Sequence, residues 1–134
     1  MRYQRAEQPV RLDGFAAARD FFAGCFAESD PARETLWVAH LDEAGDCVHL
    51  SRHEGDEAGA GLPIRTIVVD AALHSSAALL LSHNHPSGDP QPSSADQLAT
   101  RKLAGVMAAL DCRLVDHIVF GGGNCASFRQ LGLL

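Results

Sequence analysis

The feature that most constrains this chain is an unbroken apolar run, residues 77–82, that leads straight into His83-Asn84-His85-Pro86-Ser87-Gly88-Asp89-Pro90-Gln91-Pro92-Ser93-Ser94-Ala95-Asp96. The run is short, apolar and flanked by loop formers, which predicts a central buried strand. Three prolines and a glycine within residues 86–92 forbid helix there. Ser93 followed three residues later by Asp96 is a helix-start signal. A helix is predicted from there to about Leu110, with Ala99, Leu103, Val106, Met107 and Leu110 along one face. A buried strand, a rigid polar loop and a helix therefore follow one another, with two histidines at the strand's carboxyl end.

The flanking segments complete an α/β pattern. Asp13 is placed to cap a helix whose apolar residues Phe15, Ala18, Phe22, Cys25 and Phe26 recur at three- and four-residue spacing. Thr35-Leu36-Trp37-Val38-Ala39-His40-Leu41 is rich in strand formers, and Asp42-Glu43-Ala44-Gly45 predicts a turn into a second strand from Cys47 to Arg52. Gly55, Gly59 and Gly61 mark a loop. Ile64, Ile67, Val68, Ala71 and Ala72 then follow a helical face, with Pro63 suited to its first turn. Residues 114–120 form another strand, and Gly121-Gly122-Gly123 breaks it as a flexible turn. No repeat or linker divides the 134 residues, which predicts a single domain over 1–134.

The histidine pair carries chemistry. In extended backbone, residues two apart point to the same side, so His83 and His85 can aim both imidazoles at one point. A loop folding back would bring the Asp96 carboxylate to the same place. Two imidazoles and one carboxylate leave a tetrahedral zinc ion one open position, as hydrolytic zinc sites require. The pair alone is also the pattern of two hydrogen-bonded surface histidines.

The wider spacing shifts the balance through a resemblance. His83-x-His85, seven residues, then Ser93-x-x-Asp96 resembles the JAMM signature of the JAB/MPN metallopeptidases. The surrounding His83-Asn84-His85-Pro86-Ser87-Gly88-Asp89-Pro90, Pro92-Ser93, Thr100, Asp116-His117 and Ser127-Phe128-Arg129 resemble RadC proteins in particular. Gly55 and Arg65 also fall at familiar positions. Departures are Asp56, where the family usually has Thr, and Gln130, near its usual Glu. The resemblance spans about residues 34–134. It implies a JAB/MPN-type, cytidine-deaminase-like α/β fold, a twisted mixed sheet flanked by helices. It implies zinc on His83, His85 and Asp96, Glu34 as the base that deprotonates the zinc-bound water, and Ser93 as an oxyanion donor. About 33 residues precede Glu34, so the N-terminal helical region of full-length RadC proteins is expected to be missing.

Other residues are weighed against that set. Ser93 would cap the following helix as well as serve the site. Asp89 reads as a turn residue. Asp116 and His117 are adjacent in a strand and must face opposite sides, and Asp116 is the one expected to steady a ligand imidazole. His40, His49, His53 and His74 have no ligand-like spacing.

Composition bounds the function. No apolar run reaches the roughly 20 residues of a membrane span, and no signal peptide is evident. Four widely spaced cysteines without a C-x-x-C pair suggest reduced thiols in a cytoplasm. With a net charge of −6 and only 11 Lys plus Arg, scattered along the chain, autonomous DNA binding is not expected. The sequence thus points to a zinc hydrolase of peptide or isopeptide bonds acting on a peptide or protein substrate. The alternatives are a non-catalytic zinc module that binds DNA or a repair partner, and hydrolysis of a non-peptide bond. The latter includes nuclease activity, which a single zinc suits less well than the two-metal arrangement usual for phosphodiesters.

Overall fold

In a computed structural model, residues 10–55 and 62–134 are described. The predicted loop glycines Gly59 and Gly61, and Asp56, lie outside them. Element order is α1 (Phe15–Ala27), β1 (Thr35–Leu41), β2 (Cys47–Glu54), α2 (Ile64–Leu73), β3 (Ala78–Asn84), α3 (Ser94–Ala109), β4 (Arg113–Gly121) and β5 (Asn124–Ser127). The five strands form one mixed sheet in the order β2-β1-β3-β4-β5. Among the described residues only the β3–β4 pairing is parallel, with α3 as its crossover. The other three pairings are antiparallel. This is the α/β sheet with flanking helices that the sequence predicts.

Both faces of the sheet are covered. On one side Phe22 and Cys25 of α1 pack with Trp37, Ala39, Leu80 and Ile118. On the other, Ile67 and Ala71 of α2 and Leu103 and Met107 of α3 pack with Val38, Leu79 and Leu81. Every residue of β1 and β3 is buried, as expected for strands in the middle of a covered sheet. Burial, with Cys47 and Glu28 adding to it, pushes the Cys25 thiol up to about 12, in keeping with its packing as an apolar group of the core. Among the described residues no helix is long and apolar enough to cross a membrane.

Local readings needed correction in four places. Gly14 at φ 98, not Asp13, occupies the α1 cap position and makes no side-chain cap bond. On α3 the buried residues are Thr100, Leu103 and Met107, while Leu110 is 53% exposed past the helix end. The central strand begins one residue later than predicted and takes in His83 and Asn84. Finally, the chain reverses at Gly122-Gly123 and returns as β5 on β4.

His40, on β1, is fully buried in this core against its cross-strand partner His49. Burial, reinforced by His49, His74 and His53 and opposed by Asp70, lowers its pKa from 6.5 to about 4. Between those values the unfolded chain binds a proton that the folded chain refuses, so stability is full above about pH 6.5 and falls as pH drops toward 4. The His40 contribution should be on the order of 2–3 kcal/mol. Urea denaturation in metal-free buffer from pH 7.5 to 4 checks this. A His40→Leu variant should show a distinctly shallower decline, and an identical slope in the two proteins would exclude His40 as its source.

Candidate metal centre

The site forms where β3 ends beside the parallel strand β4, the position at which open α/β sheets place their ligands. His83 is the penultimate residue of β3 and is 4% exposed. His85 lies just past the strand, its backbone N–H held by the Phe120 carbonyl at 2.8 Å. The loop then turns through Gly88 at φ 95 and delivers Ser93 to the N-cap of α3. There Ser93 Oγ accepts from Asp96 N at 3.0 Å while Asp96 Oδ2 accepts from Ser93 N at 2.8 Å. This reciprocal cap fixes the Asp96 carboxylate at the mouth of the helix.

Two close backbone approaches brace the loop from behind. A Cβ on Gly121 would lie 3.0 Å from the carbonyl carbons of Gly88 and Asp89, and one on Gly122 only 2.6 Å from the Gly88 oxygen. The glycine run is therefore a tight turn that supports the histidine loop. No role of this kind follows from the run's composition.

The three predicted ligands meet. His83 Nε2 and His85 Nε2 are 3.1 Å apart, His85 Nε2 lies 3.1 Å from Asp96 Oδ2, and His83 Nε2 is 3.6 Å from Asp96 Oδ1. Their donor atoms all fall within 4.8 Å of one another, and this group could hold a metal ion. Ligands at about 2.0–2.1 Å from a tetrahedral zinc stand roughly 3.3 Å apart, so the spacing suits such an ion.

Hydrogen bonds on the far side of each ring decide which nitrogen is available. His85 Nδ1 lies 2.7 Å from the Asp89 carbonyl oxygen, which can only accept, so Nδ1 carries the proton and Nε2 is bare. His83 Nδ1 meets His117 Nε2 at 2.7 Å, and His117 Nδ1 meets Thr100 Oγ1 at 2.8 Å. With His83 ligating through Nε2, protons on both Nδ1 atoms satisfy the whole chain as far as Thr100. Burial holds the His117 pKa well below its ordinary value, so this ring is neutral. For Asp96, burial pushes upward, but the adjacent His83 imidazole and the hydrogen bond from the Ser93 backbone outweigh it and keep the carboxyl well below its usual range.

The supporting residue is thus His117 and not Asp116. Asp116 instead accepts from Ser127 Oγ at 2.6 Å and from Arg129 N at 3.0 Å, tying down the chain after β5. Alternation along β4 requires that only one of the two face the site. Thr100, named only as part of the family resemblance, is given no role by the sequence, although it stands one helical turn after Asp96 on the same face of α3.

Glu34 stands just before β1 and is exposed. It lines the same cavity as His83, His85, Ser93 and Asp96, a space of about 830 Å³. Asn84, between the two histidines, brackets it: Asn84 Oδ1 accepts from Thr35 N at 2.8 Å and Nδ2 donates to the Arg33 carbonyl at 2.9 Å. Gly55 closes on its other side, donating its N–H to the Glu34 carbonyl at 2.9 Å, and a Cβ there would press within 3.1 Å of the Glu34 side chain. His53, on β2, also lines this cavity.

This fold and donor set define a JAB domain. Residues 13–133 match the family described as RadC-like JAB domain, and the chain belongs to that family. It is 54% identical over 104 residues to a UPF0758 protein of Stenotrophomonas maltophilia strain K279a, covering 77% of this chain and 44% of that protein. To a UPF0758 protein of Coxiella burnetii strain Dugway 5J108-111 it is 51% identical over 121 residues, covering 83% and 54%. To one of Vibrio atlanticus strain LGP32 it is 38% identical over 104 residues, covering 77% and 46%. The chain spans about half the length of the curated relatives it matches.

Proposed function

We propose that this chain is a zinc-dependent hydrolase of amide bonds, peptide or isopeptide. The observation that carries this reading is the pair of Nε2 atoms, each facing the same point as the Asp96 carboxylate while Nδ1 of each ring is engaged elsewhere. A zinc ion held by His83, His85 and Asp96 would supply Lewis acidity and make a water acidic enough to attack at neutral pH.

The chain's own residues fit the remaining tasks. Glu34, held through its backbone neighbours by Asn84, takes the proton of the attacking water and returns it to the leaving amine. The Ser93 oxygen accepts from Asp96 N, which leaves its O–H to donate to the oxyanion that develops on the scissile carbonyl. The cavity, at about 830 Å³, has room for several residues of a substrate chain. A net charge of −6 favours a peptide or protein substrate over nucleic acid.

The test is to incubate the zinc-loaded chain with a peptide library that includes isopeptide-linked members and to follow cleavage by mass spectrometry. Products should appear, vanish with chelator and return with added zinc. A library left intact by protein shown to carry zinc would count against the hydrolase.

A further inference from the structure

The seven histidines of this chain fall into two groups. Three serve the centre described above, and His53 lines its cavity. The remaining three, His40, His49 and His74, gather about Asp70 at the other end of the same sheet face. They come from three elements: His40 and His49 are directly paired across β1 and β2, while Asp70 and His74 are four residues apart at the end of α2 and so share a helix face.

We propose that His40, His49, His74 and Asp70 form a second site for a divalent transition-metal ion of the zinc type. The ring centroids of His40 and His49 are 5.3 Å apart, close to the 4.8 Å of His83 and His85 in the first centre. His49 Nε2 is 3.9 Å from Asp70 Oδ2. His40 is fully buried, its Nδ1 is taken by Ser76 Oγ at 2.8 Å, and among the described residues its Nε2 has no hydrogen-bond partner. A buried ring nitrogen with nothing to bond is an uncommon arrangement, and an ion would satisfy it. Burial and neighbouring imidazoles hold His40 and His49 below their ordinary pKa, so both are in the neutral, ligating form at pH 7. Imidazole donors with one carboxylate suit zinc, nickel or copper better than magnesium or calcium.

This site is less prepared than the first. His49 and His74 are stacked with centroids 3.9 Å apart and planes 13° from parallel, closer than two ligands of one ion sit. Among the described residues only His83, His85 and Asp96 bring three donor atoms within 4.8 Å of one another, so His74, exposed at the helix end, must swing outward and the His40, His49 and Asp70 donors must also draw together before an ion is held. That rearrangement makes the second ion weaker-bound, present in excess metal and lost on desalting.

Zinc titration of chelator-stripped protein, by calorimetry at pH 7.5, tests the proposal. The wild-type chain should take up two equivalents of unequal affinity. A His85→Ala/Asp96→Ala variant should keep only the weaker one. Adding His49→Ala and His74→Ala to that variant should weaken the remaining binding by about 100-fold or more, a ligand being worth at least as much as its outer-shell support. Both added changes sit at partly or fully exposed rings, and circular dichroism confirms the fold. The proposal is overturned if the His85→Ala/Asp96→Ala protein binds no zinc, or if its one equivalent survives loss of His49 and His74.

Discussion

Replacing His85 with alanine should abolish the tightly held zinc, taking the chain from one equivalent retained through desalting to none. In the proposed centre three protein side chains hold the ion, and two would not hold it against dilution. Even the loss of an outer-shell partner costs about 10- to 100-fold in affinity, so loss of a ligand costs more. His85 lies in the loop after β3, its Nδ1 bonded to the Asp89 carbonyl, and it belongs to neither apolar cluster of the described residues, so the change should leave the core packed. The expected result is a folded protein with hydrolysis at background, measured by elemental analysis and by unfolding temperature. Full zinc retention in this variant would show that the tight ion sits elsewhere.

Glu34→Gln should separate metal binding from turnover. Glutamine keeps the size of the side chain and can still hydrogen-bond water, but it cannot accept a proton. Glu34 is outside the ligand group, and its backbone is held through Asn84 and Gly55 independently of its carboxylate. Zinc content and stability should therefore match wild type. Hydrolysis of a cleaved library peptide should fall by about 10²- to 10⁴-fold, the usual worth of a positioned acid–base group. Zinc and turnover must be measured on the same preparation, because activity lost together with zinc reports only a damaged site. If the variant keeps both, another group moves the proton.

What could be read from the sequence follows from which signals are local. β1 was legible to the residue because Thr35–Leu41 is a dense run of strand formers ended by a turn sequence in which Asp42 Oδ1 accepts from the Ala44 and Asp46 backbone. β3 was read two residues short because His83 and Asn84 look like loop residues, although neighbouring strands bury them. β5 went unread because Asn124–Ser127 has no strand former, and it exists only through its pairing with β4.

The site divides in the same way. His83, His85, Ser93 and Asp96 lie within one strand-loop-helix segment, so their spacing together with the family resemblance marks them as one site. Choosing His117 over Asp116 needs the phase of β4 against β3, where His117 stands beside Leu81, and that is a tertiary fact. The His40, His49 and His74 group was invisible for a stronger reason. Its members come from three elements whose pairing register no local pattern encodes.

The most direct measurement is anomalous scattering at the zinc edge from crystals of the zinc-loaded chain. The strongest peak should lie within about 2.0–2.2 Å of His83 Nε2, His85 Nε2 and an Asp96 carboxylate oxygen, with its open side toward the cavity lined by Glu34 and Ser93. Zinc bound elsewhere on the chain, with no peak among these three residues, would contradict the account.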